Sequence, residues 1–221
     1  KGHEEGLFAA TPPLEALRAL VSRAATVGEM EMGEQVIMIN DVARAFFEAP
    51  ITRMVCIELP KEDMTDEDIK EDRVGILNMS LYGTRDAAVN FQREVETFMK
   101  AIGFRQGKYN PCTYWHKERK LRTLVHGDDF VTTGSRDSAK WLKTKMEERF
   151  EIKTKVIGNQ PGEAKEERIL NRVIRVTRDG WEYEPDQRHA ELIIKGLKLE
   201  DAKGVLTPCE EAQKWREEED K

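Results

Sequence analysis

Apolar residues recur along this chain at two spacings, and each stretch takes the element that its spacing fits. After Thr11, Pro12 and Pro13, the residues Leu14, Leu17, Val21 and Ala24 fall three or four apart among charged neighbours. That predicts a helix over residues 11–25 with one face on a core. Ala88, Phe91, Val95, Phe98, Met99 and Ile102 repeat the pattern over residues 85–102, with Gly103 as the stop and Asp86 in the first turn, where its charge suits the helix dipole. Ala139, Leu142, Met146 and Phe150 form a third stripe, capped by Ser135. Continuous or alternating apolar runs predict strands at 35–42, 54–59, 113–116, 122–125, 130–133, 150–157, 169–177 and 180–185. Asp186 caps a last helix carrying His189, Leu192 and Ile193. Residues 62–72 are acidic without period and read as a loop or short exposed helix, while the charged tail beyond Cys209 reads as disordered.

Strand, helix, two-stranded hairpin, helix, strand is the split βαβ order. It predicts an α+β fold: an antiparallel sheet with two helices on one face, and a small C-terminal α/β appendage from about residue 159.

Composition narrows the class. No apolar run approaches the ~20 residues that span a bilayer, so no membrane partner is expected. Cys56, Cys112 and Cys209 lack any CxxC pairing, and the four histidines lack HExxH spacing, so neither a disulfide framework nor a zinc site is indicated. A reducing intracellular setting, cytoplasmic or nuclear, fits. A net charge of −6 is against the sign that nucleic-acid binding needs, but base gathers at Lys117, Arg119, Lys120 and Arg122, and again at Lys140, Lys143, Lys145, Lys153 and Lys155. The chain starts at Lys1 without Met and reads as a fragment.

Candidate chemistry lies in two acidic strand ends. Residues 122–125 run into His126, Gly127, Asp128 and Asp129, and residues 130–133 run out again: two strands joined by a Gly-Asp turn. Adjacent carboxylates at a turn repel each other and gain from a divalent cation between them. The apolar run 36–40 ends at Asp41, with Phe46 and Phe47 a few residues on. Three carboxylates converging from two strands would hold two Mg²⁺, the arrangement phosphoryl and nucleotidyl transfer need.

Asp41-Val-Ala-Arg-Ala-Phe-Phe47, Ser80-Leu-Tyr-Gly83 and His126-Gly-Asp-Asp129, in this order and spacing, together resemble the reverse transcriptase of copia-type LTR retrotransposons. Gly103-Phe104, residues 108–112 and Leu206-Thr-Pro208 extend the resemblance over about residues 8–208. It implies a polymerase palm at 31–158, a fingers remnant with its leading helix at 1–30, a thumb- or connection-like appendage at 159–208 and a disordered tail at 209–221. The implied reaction is RNA-directed DNA synthesis on an RNA or DNA template with primer, using dNTPs and two Mg²⁺, with Mn²⁺ as a substitute. Asp41 and Asp128 would ligate the ions with the backbone carbonyl of Val42, and Asp129 would be the third acid. Phe46 would stack beneath the incoming sugar, leaving Phe47 as the buried ring. Tyr82 and Gly83 would approach the nascent base pair. His126 stands where the family has an aromatic, and could stack on a primer base. Asp86 stands where the family has Gln, with Arg85 beside it as the cation to offset its charge. The fingers are expected to be truncated, with the rest of the fingers and thumb, RNase H and integrase on other segments of the same polyprotein. Two other readings use the same acids: an inactive remnant retaining at most nucleic-acid binding, and a small metal-dependent phosphotransferase or nuclease.

Overall fold

The computed structural model describes residues 8–26, 35–185 and 187–204, and the chain divides into two compact units, 1–184 and 185–221. The first unit is built on a six-stranded antiparallel sheet in the order β4-β5-β6-β7-β1-β8. Its strands are β1 (Gln35–Val42), β4 (Arg105–Gln106), β5 (Thr113–His116), β6 (Leu121–His126), β7 (Asp129–Ser135) and β8 (Ile152–Ile157). A ribbon of β2 (Cys56–Ile57) and β3 (Gly75–Ile76) and a three-stranded sheet of β9 (Glu166–Ile169), β10 (Arg172–Thr177) and β11 (Gly180–Glu184) complete it.

Helices α1 (Leu14–Thr26), α3 (Ala87–Ala101) and α4 (Arg136–Glu147) follow the predicted stripes, and α2 (Asp66–Lys70) is a short exposed turn closed by a Thr65–Asp68 capping box. Ser135 caps α4 as expected, its hydroxyl accepting from the Ser138 amide.

Period-two alternation gives β1 two apolar faces, and both are covered. Val36, Met38 and Val42 pack with Phe91, Val95 and Met99 of α3 and Ala139, Leu142 and Met146 of α4. Ile37, with Leu124, Val131 and Ile157, packs instead with Leu17, Leu20, Val21 and Ala24 of α1 and with Ile169, Ile174 and Val176. The expectation of helices on one face therefore holds for α3 and α4 alone. Helix α1 takes the other face, because β1 is apolar on both sides.

Two further differences have local causes. The strand expected over 169–177 is a hairpin, with Leu170 (φ 47°) and Asn171 (φ 59°) both left-handed at its turn. Asn accepts that conformation, but a leucine there gives no turn signal. The stretch 54–59 keeps only two residues of strand. The division after Glu184 leaves 159–184 in the first unit, since Ile169, Ile174 and Val176 are buried against α1. In the second unit, α5 (Gln187–Gly196) carries exposed Leu192 and Ile193. Asp186, Leu206 to Pro208 and the tail lie outside the described residues.

Leu142 is fully buried between α4 and the sheet. Leu142→Ala is expected to cost about 2–5 kcal/mol, read as a lowered urea midpoint with an unchanged slope. A shift under about 1 kcal/mol would mean that α4 is not anchored as described.

Candidate active site

The β6–β7 hairpin turns on two residues. Gly127 has φ 61° and Asp128 is not left-handed, the pattern of a type II′ turn with glycine first. Among the described residues nothing beyond its chain neighbours crowds the place where a Cβ of residue 127 would stand, so the demand for glycine is conformational. The end of β1 is tied to this turn: the Val42 amide donates to the Asp128 carbonyl at 3.0 Å. The Val42 side chain itself is in the core.

Register does the rest. Asp41 pairs with Asp129 across β1 and β7, so both carboxylates lie on one face of the sheet. His126 pairs with Asp129 across the hairpin, and Asp128 is exposed at its tip. Burial, and then the charges of Asp128 and Asp41, push the Asp129 carboxyl above the ordinary aspartate range, partly offset by His126. The three acids singled out from the sequence thus share one electrostatic neighbourhood. On the other side of Asp41, β8 brings exposed Lys153 into cross-strand register. The sequence showed Lys153 only as part of a basic, alternating stretch.

Hard, mutually repelling carboxylate oxygens suit a divalent cation in charge. Among the described residues, however, no three His, Cys, Asp or Glu side chains are arranged as a metal-binding group. The charge condition for metal is met, whereas a closed ligand set is not formed.

Beside the acids, Arg44 (φ 54°) opens a 3₁₀ turn, Ala45–Glu48. With three residues per turn, Phe46 shares the inward side with Ala49. Phe46 packs on the core and against Tyr82 (ring centroids 4.5 Å), whereas Phe47 is 42% exposed. The assignment of Phe47 as the buried ring is corrected accordingly. Tyr82 lies between the two, 5.5 Å from Phe47.

Arg149, unmarked in the sequence, locks this turn. It donates to the Glu48 carboxylate (2.9 Å), the Glu48 carbonyl (2.9 Å) and Glu94 of α3 (2.8 Å), and lies over the Phe150 ring.

The segment before α3 is pinned from behind. Ser80 is buried, with its amide on the Ala49 carbonyl at 2.8 Å. Gly83 has φ 90° with open space around it, and Arg85 is exposed. Asp86 is buried at the N-cap of α3 and pairs with Arg53 at 3.1 Å, a partner 33 residues away. Asn90 joins Asp86 to Ser80 and Thr52. Burial alone would raise the Asp86 carboxyl, but Arg53, its own backbone amide and Asn90 outweigh that and hold it below the ordinary range. The negative charge is offset within the protein by Arg53.

Known families put a class to this arrangement. The family model described as reverse transcriptase (RNA-dependent DNA polymerase) matches residues 7–211. The chain belongs to that family. Among solved structures it is similar to one described as apo telomerase from Candida Tropicalis truncated from its C-terminal domain, at 12% identity and a TM-score of 0.46, over 79% of this chain and 40% of that one. The chain thus spans about two fifths of the length of that telomerase chain. No curated protein sequence matches.

A carboxyl held below its unfolded value adds stability above that value and loses it as pH falls through the folded one. Arg53→Gln is therefore expected to cost about 1–2 kcal/mol at neutral pH, given the half-exposed guanidinium. The cost should fade well below the ordinary value of 3.8, where Asp86 is protonated in both proteins. Urea midpoints across pH read this, and a pH-independent difference would show that the ion pair is not its source.

Proposed function

We propose that this chain is the palm-bearing core of a copia-type retrotransposon reverse transcriptase, an RNA-directed DNA polymerase that adds deoxynucleotides to a primer 3′-hydroxyl. The observation that carries the reading is the register of Asp41 with Asp129, with Asp128 in the adjoining turn, in a chain of the reverse transcriptase family. Residues 31–158 are taken as the palm, 1–30 as the fingers remnant and 159–208 as the thumb- or connection-like part, acting inside the cell with the other segments of a polyprotein.

Asp41, Asp128 and the Val42 carbonyl would hold two Mg²⁺, for which Mn²⁺ can substitute, with Asp129 completing the charge. When bound, the ions supply Lewis acidity that favours the 3′-alkoxide and neutralises the leaving pyrophosphate. The chain's own part is positioning. Phe46, braced by Tyr82 and by the Arg149 lock on its turn, offers a fixed aromatic surface beneath the sugar, where a 2′-hydroxyl would clash. Gly83, with no Cβ and open space, lets backbone approach the base pair, with Tyr82 beside it. Arg85 lies exposed at the start of α3, on the side of the triphosphate in this reading. His126, beside Asp129, would stack on the primer terminus.

Among the described residues no three acids form a closed ligand group, and the alternative reading is a folded remnant without catalysis. Primer extension on an RNA template with Mg²⁺ and with Mn²⁺ separates them. Incorporation of deoxynucleotides is expected, falling by about two orders of magnitude or more in Asp128→Asn. No incorporation with either ion would sink the catalytic reading and leave the remnant.

A further inference from the structure

The sheet face that carries Asp41 and Asp129 continues away from them into a basic crevice. Strand pairing sets Arg105 of β4, Trp115 of β5, Arg122 of β6 and Thr133 of β7 in one row on that face. The row lies four residues, about 13 Å, from Asp129. Arg122 lies over the Trp115 ring, 4.7 Å from its centroid. Two clefts of about 280 Å³ each open beside Arg122. One is lined with Arg105, Gln106 and Trp115, and the other lies under α1 with Ala19, Leu20 and Arg23.

Several arginines elsewhere in the chain are neutralised within the protein. Arg44, Arg53, Arg73, Arg136, Arg149 and Arg175 are each paired with carboxylates. Neither cleft has an acidic lining residue. Among the described residues Arg23, Arg105 and Arg122 make no ion pair, and Arg122 donates only to the Leu121 carbonyl, at 3.2 Å. Burial and the like charge of Arg23 hold the Arg122 guanidinium below its ordinary range. Two cations forced together without a counter-ion, in a protein of net charge −6, leave a place for an anion.

We propose that this crevice binds the phosphate backbone of a nucleic-acid strand, with Arg23 and Arg122 flanking one phosphate, Arg105 engaging a neighbouring one and Trp115 covering the sugar–base side. Guanidinium forks match phosphate oxygens, and an aromatic face is tolerant of any base. A free phosphate would satisfy the arginines but not use the tryptophan or the second cleft. The choice of nucleic acid as the anion rests on the polymerase reading; the anion site itself does not.

The test is binding of a fluorescein-labelled single-stranded RNA, followed by anisotropy over a salt series, with no catalysis required. Each of Arg23→Gln, Arg105→Gln and Arg122→Gln is expected to weaken binding and flatten the log K–log salt slope by up to about 0.7, the increment of one phosphate on a single strand, and the Arg23→Gln/Arg122→Gln pair, which shares one phosphate, by about 0.7 in all. Lys143→Gln, which removes the same charge from α4, is expected to leave the slope as in the wild type. Arg105 is exposed on an edge strand, so its variant tests the site even if the Arg122 variant unfolds. A wild type that binds no RNA, or folded arginine variants with unchanged slope, overturns the proposal. So does displacement of RNA from wild type and variants alike by inorganic phosphate at constant ionic strength, which would mark a small-anion site. Flattened slopes without primer extension would uphold the crevice while the polymerase reading fails, and the converse result would do the reverse.

Discussion

The antiparallel register between β1 and β7 is the constraint on which the rest of this site depends. Side chains alternate faces along a strand, so Asp41 shares a face with Asp129 only in the pairing observed. A slip by one residue would carry Asp41 to the side of α3 and α4 and exchange Val36, Met38 and Val42 with Ile37 between two differently shaped packed faces. Burial of both faces of β1 is what forbids that slip. The hydrophobic core therefore does more than stabilise the sheet: it decides which carboxylates meet. The bond from the Val42 amide to the Asp128 carbonyl then closes the last gap between strand end and turn.

Around that fixed pair, charge is handled in two ways. Where a charge would loosen the scaffold, it is neutralised by a distant partner. Arg53 reaches back to Asp86, and Arg149 joins the aromatic turn to α3 through Glu48 and Glu94. On the sheet face that carries Asp41, which α1 covers in part, charges of one sign gather instead, with His126 offsetting Asp129 only partly. Asp41, Asp128 and Asp129 crowd at one end, and Arg23, Arg105 and Arg122 at the other. Like charges held together by a rigid sheet are unfavourable alone and become favourable with a counter-ion. One face thus carries an acidic end suited to cations and a basic stretch suited to phosphates, about 13 Å apart.

The aromatic turn illustrates how local geometry selects between equivalent residues. Phe46 and Phe47 are adjacent and chemically identical, and hydrophobicity cannot rank them. The left-handed Arg44 and the three-residue period of the turn do, bringing Phe46 inward with Ala49 and leaving Phe47 exposed. Both rings still meet Tyr82, so the segments 45–48 and 80–83 form one aromatic group.

The elements follow from the sequence wherever a local period is strong. The stripes of α1, α3 and α4, the alternation of β1 and the Gly127-Asp128 turn each depend on residues within a few positions of one another, as does the place of each acid at its own strand end or turn. What joins distant residues was decided only by the tertiary structure. Nothing local marks Arg53 as the partner of Asp86, Arg149 as the lock of residues 45–48, or Lys153 as the neighbour of Asp41. Helix α1 likewise had an apolar face but no indication of which sheet face it would cover. The hairpin at Leu170-Asn171 was hidden because a leucine takes a conformation that its own preference opposes, with pairing along β9 and β10 offsetting the strain. Periodicity is a property of neighbouring residues and is written along the chain; partnership across the fold is a property of packing, and exists only once the two faces of β1 are buried.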